Sequence, residues 1–273
     1  MAIFLCTACG TSYPESPEPP RRCPICEDER QYVPATGQSW ISQEELVGGH
    51  RNAWQQHEPG LLSVQTVPGF AINQRAFLLR TPEGNILWDC IALLDRATAE
   101  LMRALGGIRA IAVSHPHYYT TMQEWAEAFG ATVHLHALDR EWVMRPLPSI
   151  HFWEGEKLEL LPGATLIRGG GHFPGSTVLH WRGAADGKGV LLAGDTVNVT
   201  PGARRVSFMW SYPNMMPLPA AEVRQVAARL ALLNYERIYG AFSGQDVQQD
   251  GSAIVARSAV RYVELLEAGL PSR

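Results

Sequence analysis

The sequence predicts a mixed α/β fold of two β-sheets faced by helices, preceded by a small cysteine-bound module. Two observations predict this. Short β-rich runs come first in close succession, as hairpins do, and later alternate with helical segments, which needs more than one sheet and helices to cover them. Four of the five cysteines lie within residues 1–37, where the Pro-rich stretch from Pro14 to Arg22 suits neither a helix nor a central strand. The expected organisation is a four-cysteine module over 1–37 and the α/β domain over 38–273.

The β-rich runs are 61–67, 75–81, 85–90, 109–114 and 132–136, then 157–161, 164–169, 177–181, 189–194 and 237–241. Leu94, Thr98, Leu101 and Leu105 stand at helical spacing and stop at Gly106-Gly107. A second helix is expected from Thr121, where Thr121 and Glu124 have the spacing of a capping box. Val223, Val226, Ala227 and Leu230 mark a third, with Pro219 near its first turn. Val255, Ala259, Tyr262, Val263 and Leu266 mark a fourth, expected to stop at Gly269 and Pro271. No internal repeat is present.

Composition excludes several classes of function. Hydrophobic residues make up 46% and charged residues 18%, a balance that supports a packed core rather than disorder. The net charge of −4 supplies no field for a polyanion, so nucleic acid is not an expected partner. No apolar run approaches the roughly 20 residues that span a bilayer. The N-terminus lacks a basic segment and reaches Cys6 too soon for a signal peptide. A cytoplasmic location, and hence reduced thiols, is therefore expected.

Cys6-x-x-Cys9 and Cys23-x-x-Cys26 are two CxxC turns separated by 13 residues. Zinc takes four thiolates in a tetrahedron, and each turn presents two of them to one side of the ion. With no fifth position on offer, the expected metal is a structural zinc holding residues that could not otherwise build a core. Such zinc-ribbon-like modules meet nucleic acid or protein. Glu15, Glu18, Glu27, Asp28 and Glu29 outnumber Arg21, Arg22 and Arg30, so a protein partner is the expectation here.

Three further segments carry metal-binding residue types, each at the end of a β-run. His115 and His117 follow the run ending at Val113, and alternate spacing would aim both rings to one side. The glycine-rich turn 169–176 carries His172, and its glycines let the backbone bend close to an ion. Leu191-Leu192-Ala193-Gly194-Asp195-Thr196 ends an apolar run on a carboxylate.

A strand followed by HxH, then GGHFPG, then GDT resembles the metallo-β-lactamase superfamily over roughly the last three quarters of the chain. Asp89, at the end of LWDC, matches that family's strand-end Asp. The resemblance implies an αββα sandwich with a metal at one edge of its sheets. His115, His117 and His172 match the first metal site, and Asp195 matches the bridging carboxylate. The family pattern His-x-His-x-Asp-His is not completed here. Tyr119 stands in place of its Asp, Thr120 in place of its last His, and no His follows His180. One catalytic zinc is therefore expected, with iron or manganese compatible with the same donors.

From this the expected activity is metal-dependent hydrolysis of a small ester, thioester, lactone or similar anion. Asp195 would ligate the ion or act as general base. Tyr118 and Tyr119 would donate to a developing oxyanion, or merely pack. Asp89 would orient a histidine ring from behind or cap its strand. Arg204, Arg205, Trp210 and Tyr212 lie in an insert that suits either the wall of an organic-anion site or a contact between two copies of the chain. The lost half-site leaves a non-catalytic binding or scaffold protein as the alternative. A nucleic-acid processing enzyme is a third reading, opposed by the acidic balance.

Overall fold

The computed structural model describes residues 1–268, so Gly269 and Pro271, the expected stop of the last helix, lie outside the described residues. The chain divides into two compact units, Met1–Trp153 and Glu154–Arg273.

The first unit opens with β1 (Phe4–Cys6), α1 (Pro24–Glu27), β2 (Trp40–Ser42) and α2 (Gln43–Gly49). β1 pairs antiparallel with β2, so the cysteine segment is laced to chain beyond residue 37. α2 starts on a complete capping box of Ser42 and Glu45. The seven-stranded sheet follows: β3 (Arg51–Glu58), β4 (Leu61–Val67), β5 (Ala76–Thr81), β6 (Gly84–Trp88), β7 (Ala110–Ala112), β8 (Thr132–His136) and β9 (Ile150–Trp153), in that spatial order. β3 to β6 are joined as antiparallel hairpins. β6 to β9 run parallel, which needs crossovers. α3 (Arg96–Ala104) and α4 (Met122–Phe129) supply the first two.

Two local expectations fail here. The run 85–90 stops being a strand at Trp88, because Asp89 turns into the left-handed region at φ 59°. No capping box forms at Thr121; its hydroxyl instead donates to the carbonyls of Ile91 and Ala92, at 3.2 and 3.0 Å.

The cysteine module rests on the sheet's loops. The four cysteines form a buried cluster with Tyr13 and Ile25, against which Trp40, Trp142 and Met144 pack. Ser12 reaches the loop after β7: its N–H and its hydroxyl both donate to the Thr120 carbonyl, at 3.0 and 2.8 Å. Thr120 is held at φ 35°, a conformation that L residues avoid unless their surroundings over-determine it. Ser12→Ala should therefore cost about 1 kcal/mol, measured as a drop in the denaturant midpoint at constant slope.

The second unit contains a six-stranded sheet in the order β10 (Lys157–Leu161), β11 (Ala164–Arg168), β12 (Thr177–Trp181), β13 (Val190–Leu192), β18 (Arg237–Tyr239), β19 (Asp246–Val247). β13 and β18 are parallel; the other neighbours are antiparallel. Between them come two small ribbons, β14 (Asn198–Val199) with β15 (Val206–Ser207), and β16 (Met209–Ser211) with β17 (Met216–Pro217). α5 (Ala220–Leu230) and α6 (Gly251–Glu267) follow the expected apolar spacing. They bury Val223, Val226, Leu230, Val255 and Ala259 with Val178, Leu191 and Ile238 of the sheet. Among the described residues, no helix is long and apolar enough to cross a membrane.

Candidate metal centres

The four cysteine Sγ atoms all lie within 4.8 Å of one another, all buried and none in a disulfide. Cys6 Sγ is 3.5 Å from Cys26 Sγ, and Cys9 Sγ is 3.6 Å from Cys23 Sγ. Four thiolates at about 2.3 Å from one zinc would stand about 3.8 Å apart, so the cluster has the size of a tetrahedral zinc site. The surrounding donors suit thiolates. Tyr13 Oη donates to Cys23 Sγ at 3.1 Å, and Gln38 Nε2 donates to Cys6 Sγ at 3.0 Å. Within the cluster the neighbouring thiols hold Cys6 and Cys23 low, while burial pushes Cys9 up and the neighbouring thiols push Cys26 up, so the four share their protons as one set.

In the first unit, Asp89 and His115 stand at the carboxyl ends of the adjacent parallel strands β6 and β7. Asp89 N–H donates to the Ala112 carbonyl, and Asp89 Oδ1 accepts from Ser114 N–H at 2.7 Å, which ties the two loops together. Ser114 Oγ lies 2.9 Å from His115 Nδ1. His115 is extended, and His117 sits in the 3-10 turn Pro116–Tyr118. That turn, rather than strand alternation, brings the rings together, with centroids 5.0 Å apart at 75°. Two imidazoles on one tetrahedral ion have centroids about 5.2 Å apart, given metal–nitrogen bonds of about 2.0–2.1 Å. Both rings are buried.

Tyr118 is buried with its ring 4.3 Å from that of His115, and Tyr119 is buried as well. Burial, with the Asp139 charge, pushes the Tyr119 phenol far above its ordinary range, so it stays a hydrogen-bond donor. Cys90 is fully buried, and burial pushes its thiol up.

In the second unit, the ends of β11 and β13 and the start of β12 fall on one sheet edge, which is why the turn carrying His172 and the turn carrying Asp195 meet. His172 Nδ1 lies 2.8 Å from the Trp210 carbonyl. A carbonyl can only accept, so Nδ1 carries the proton and Nε2 keeps its lone pair. That Nε2 is 4.0 Å from Asp195 Oδ2, a spacing two ligands of one ion can have. Tyr212 Oη donates to the Asp195 backbone carbonyl at 2.9 Å. Trp210 and Tyr212 thus brace the two candidate ligands. Arg204 and Arg205 lie exposed between β14 and β15.

Gly169 is needed for this approach. A Cβ there would overlap Thr196, the residue after Asp195. Gly169→Ala should lower metal occupancy about 10–100-fold in affinity, as disturbed outer-shell contacts do. The double variant Gly169→Ala/Thr196→Ala should recover most of it; a metal titration of both proteins checks this. A cavity of ≈ 640 Å³ elsewhere in this unit is lined by Lys157, Arg182, Lys188 and Leu232 and contains neither His172 nor Asp195.

Sequence reading missed Ser114, Trp210's carbonyl and Ser12 as supports. A backbone carbonyl leaves no mark on residue type, and lone serines are too common to carry a signal.

The comparisons agree with this geometry. The family described as "Metallo-beta-lactamase superfamily" matches residues 70–241, more than half of the chain. A Bacillus subtilis (strain 168) protein, "Uncharacterized protein YmaE", is 47% identical over 272 residues, covering 99% of each chain. Among solved structures, VMB-1 aligns with TM-score 0.59 at 10% identity, over 78% of this chain and 97% of its own. MEM-A1, a subclass B3 metallo-beta-lactamase from a soil metagenome library, aligns with TM-score 0.54 at 19% identity, over 79% and 96%. A Cronobacter sakazakii metallo-beta-lactamase with a HARLDQ motif aligns with TM-score 0.51 at 23% identity, over 79% and 93%. At these identities the structural likeness speaks for the fold alone, and together with the match over residues 70–241 it gives one answer: the chain belongs to the metallo-β-lactamase superfamily.

Proposed function

We propose that the protein is a metal-dependent hydrolase in which His115, His117, His172 and Asp195 hold a single zinc ion, acting on a small ester, thioester, lactone or similar anionic substrate. The donor set carries this reading: three buried imidazoles and one buried carboxylate, with His115 and His117, and His172 and Asp195, at spacings that one ion can accept. When bound, such an ion supplies a water of near-neutral pKa and polarises a carbonyl or phosphoryl oxygen. Asp195 is the one carboxylate of the set and the candidate proton acceptor. The buried phenols of Tyr118 and Tyr119 are candidate donors to an oxyanion. Iron and manganese suit the same donors.

The one-ion reading is supported by the loop after β7. The positions that would bring a further Asp and His are Tyr119 and Thr120. Thr120 is turned to the cysteine module: its carbonyl is gripped by Ser12, and its methyl lies under Gly10. The four-cysteine cluster is proposed to hold a structural zinc.

Metal content per chain tests this, on protein purified without added metal. About two equivalents in the wild type, falling to one in His115→Ala/His117→Ala, is the expected result. About one equivalent in both would leave only the cysteine centre filled and give the lead to a non-catalytic binding protein.

A further inference from the structure

We propose that His134 and His151 form a separate, exchangeable binding site for a zinc-class divalent cation on the edge of the seven-stranded sheet. It does not rest on the reading of the site above. β9 is the edge strand, and His134 of β8 and His151 of β9 are direct register partners in a parallel ladder. Their side chains therefore leave the same face of the sheet, one strand spacing apart.

Three observations point to a cation. The ring centroids are 5.4 Å apart at 67°, close to the 5.0 Å and 75° of His115 and His117. Two imidazoles sharing one tetrahedral ion, with metal–nitrogen bonds of about 2.0–2.1 Å, have their centroids at about this separation. His134 Nδ1 is buried without a hydrogen-bond partner. An unpartnered buried polar atom is uncommon and calls for an explanation such as an ion. Burial and the neighbouring His151 hold His134 down to about 4, so its ring keeps the lone pair that a cation needs at neutral pH. Two protein donors leave the other positions to water. The ion should therefore be held less tightly than in a four-cysteine centre and should exchange readily.

The test is a zinc chloride titration at neutral pH of the full chain already carrying its resident metals. Wild type should take up one further equivalent. His151→Gln and His134→Gln should each weaken it by about tenfold or more, while His50→Gln leaves it unchanged. His151 is exposed on an edge strand, so its replacement leaves the fold intact by circular dichroism. In wild-type protein, the imidazole proton resonances of both His134 and His151 should shift with zinc, a readout independent of any variant's folding. The proposal is overturned if wild type takes up no zinc beyond its resident metals, if uptake survives in both variants, or if neither resonance moves.

Discussion

His117→Ala and Asp195→Ala should each lower turnover by more than about 100-fold, because even outer-shell partners of a metal typically cost 10–100-fold. Each variant should also bind the histidine–aspartate metal more weakly, with an unchanged far-ultraviolet circular dichroism spectrum. The expectation follows from placement. Both residues stand beyond strand ends, in turns whose geometry is set by other groups: the 3-10 turn at Pro116, and the Tyr212 hydroxyl on the Asp195 carbonyl. Removing either ligand deletes a donor without unpicking a strand. A panel of ester, thioester and lactone anions serves for the assay. Undiminished turnover in both variants, on a substrate the wild type cleaves, would remove the hydrolase assignment from this centre.

Cys23→Ser should abolish the structural zinc and lower global stability by several kcal/mol, the second large effect. Structural zinc in small modules supplies about 10–16 kcal/mol of apparent binding free energy at neutral pH, comparable to or larger than the whole stability of an ordinary domain. The cluster buried by these four thiols also carries Trp40, Trp142 and Met144, so losing it exposes chain well outside the module. Protease sensitivity should appear first before Ser42. The Ser12 contacts to Thr120 should loosen with it, which a fall in metal affinity at His115 and His117 would report. Unchanged zinc content and an unchanged melting curve would rule out a structural role for the cluster.

Much of the fold is legible in the sequence, for reasons that individual elements show. β4, β8, β10 and β12 occupy the expected runs, because their apolar residues alternate or cluster where Gly and Pro punctuate. β3 escapes, since Arg51–Glu58 is mostly polar and takes strand form only by pairing with β4 along its whole length. β9 escapes for a like reason: Ile150–Trp153 is too short to show a period and is fixed by β8. At Thr121 the local signal for a capping box is present, but two carbonyls from another segment capture its hydroxyl.

The candidate metal-binding residues are legible because coordination chemistry restricts residue type. Few side chains other than Cys, His and Asp offer such donors, and their position after apolar runs is written in the chain. Sequence alone therefore determined the two CxxC turns, the three histidines with Asp195, and the loss at Tyr119 and Thr120. Tertiary structure alone decided which atoms orient them. The Trp210 carbonyl fixes the proton on His172, Ser12 grips Thr120 across more than a hundred residues, and His134 finds His151 on the next strand. The physical reason is that a donor's identity is a property of one residue. A hydrogen bond to a backbone carbonyl, or a register between two strands, is a property of chain segments that meet only after folding.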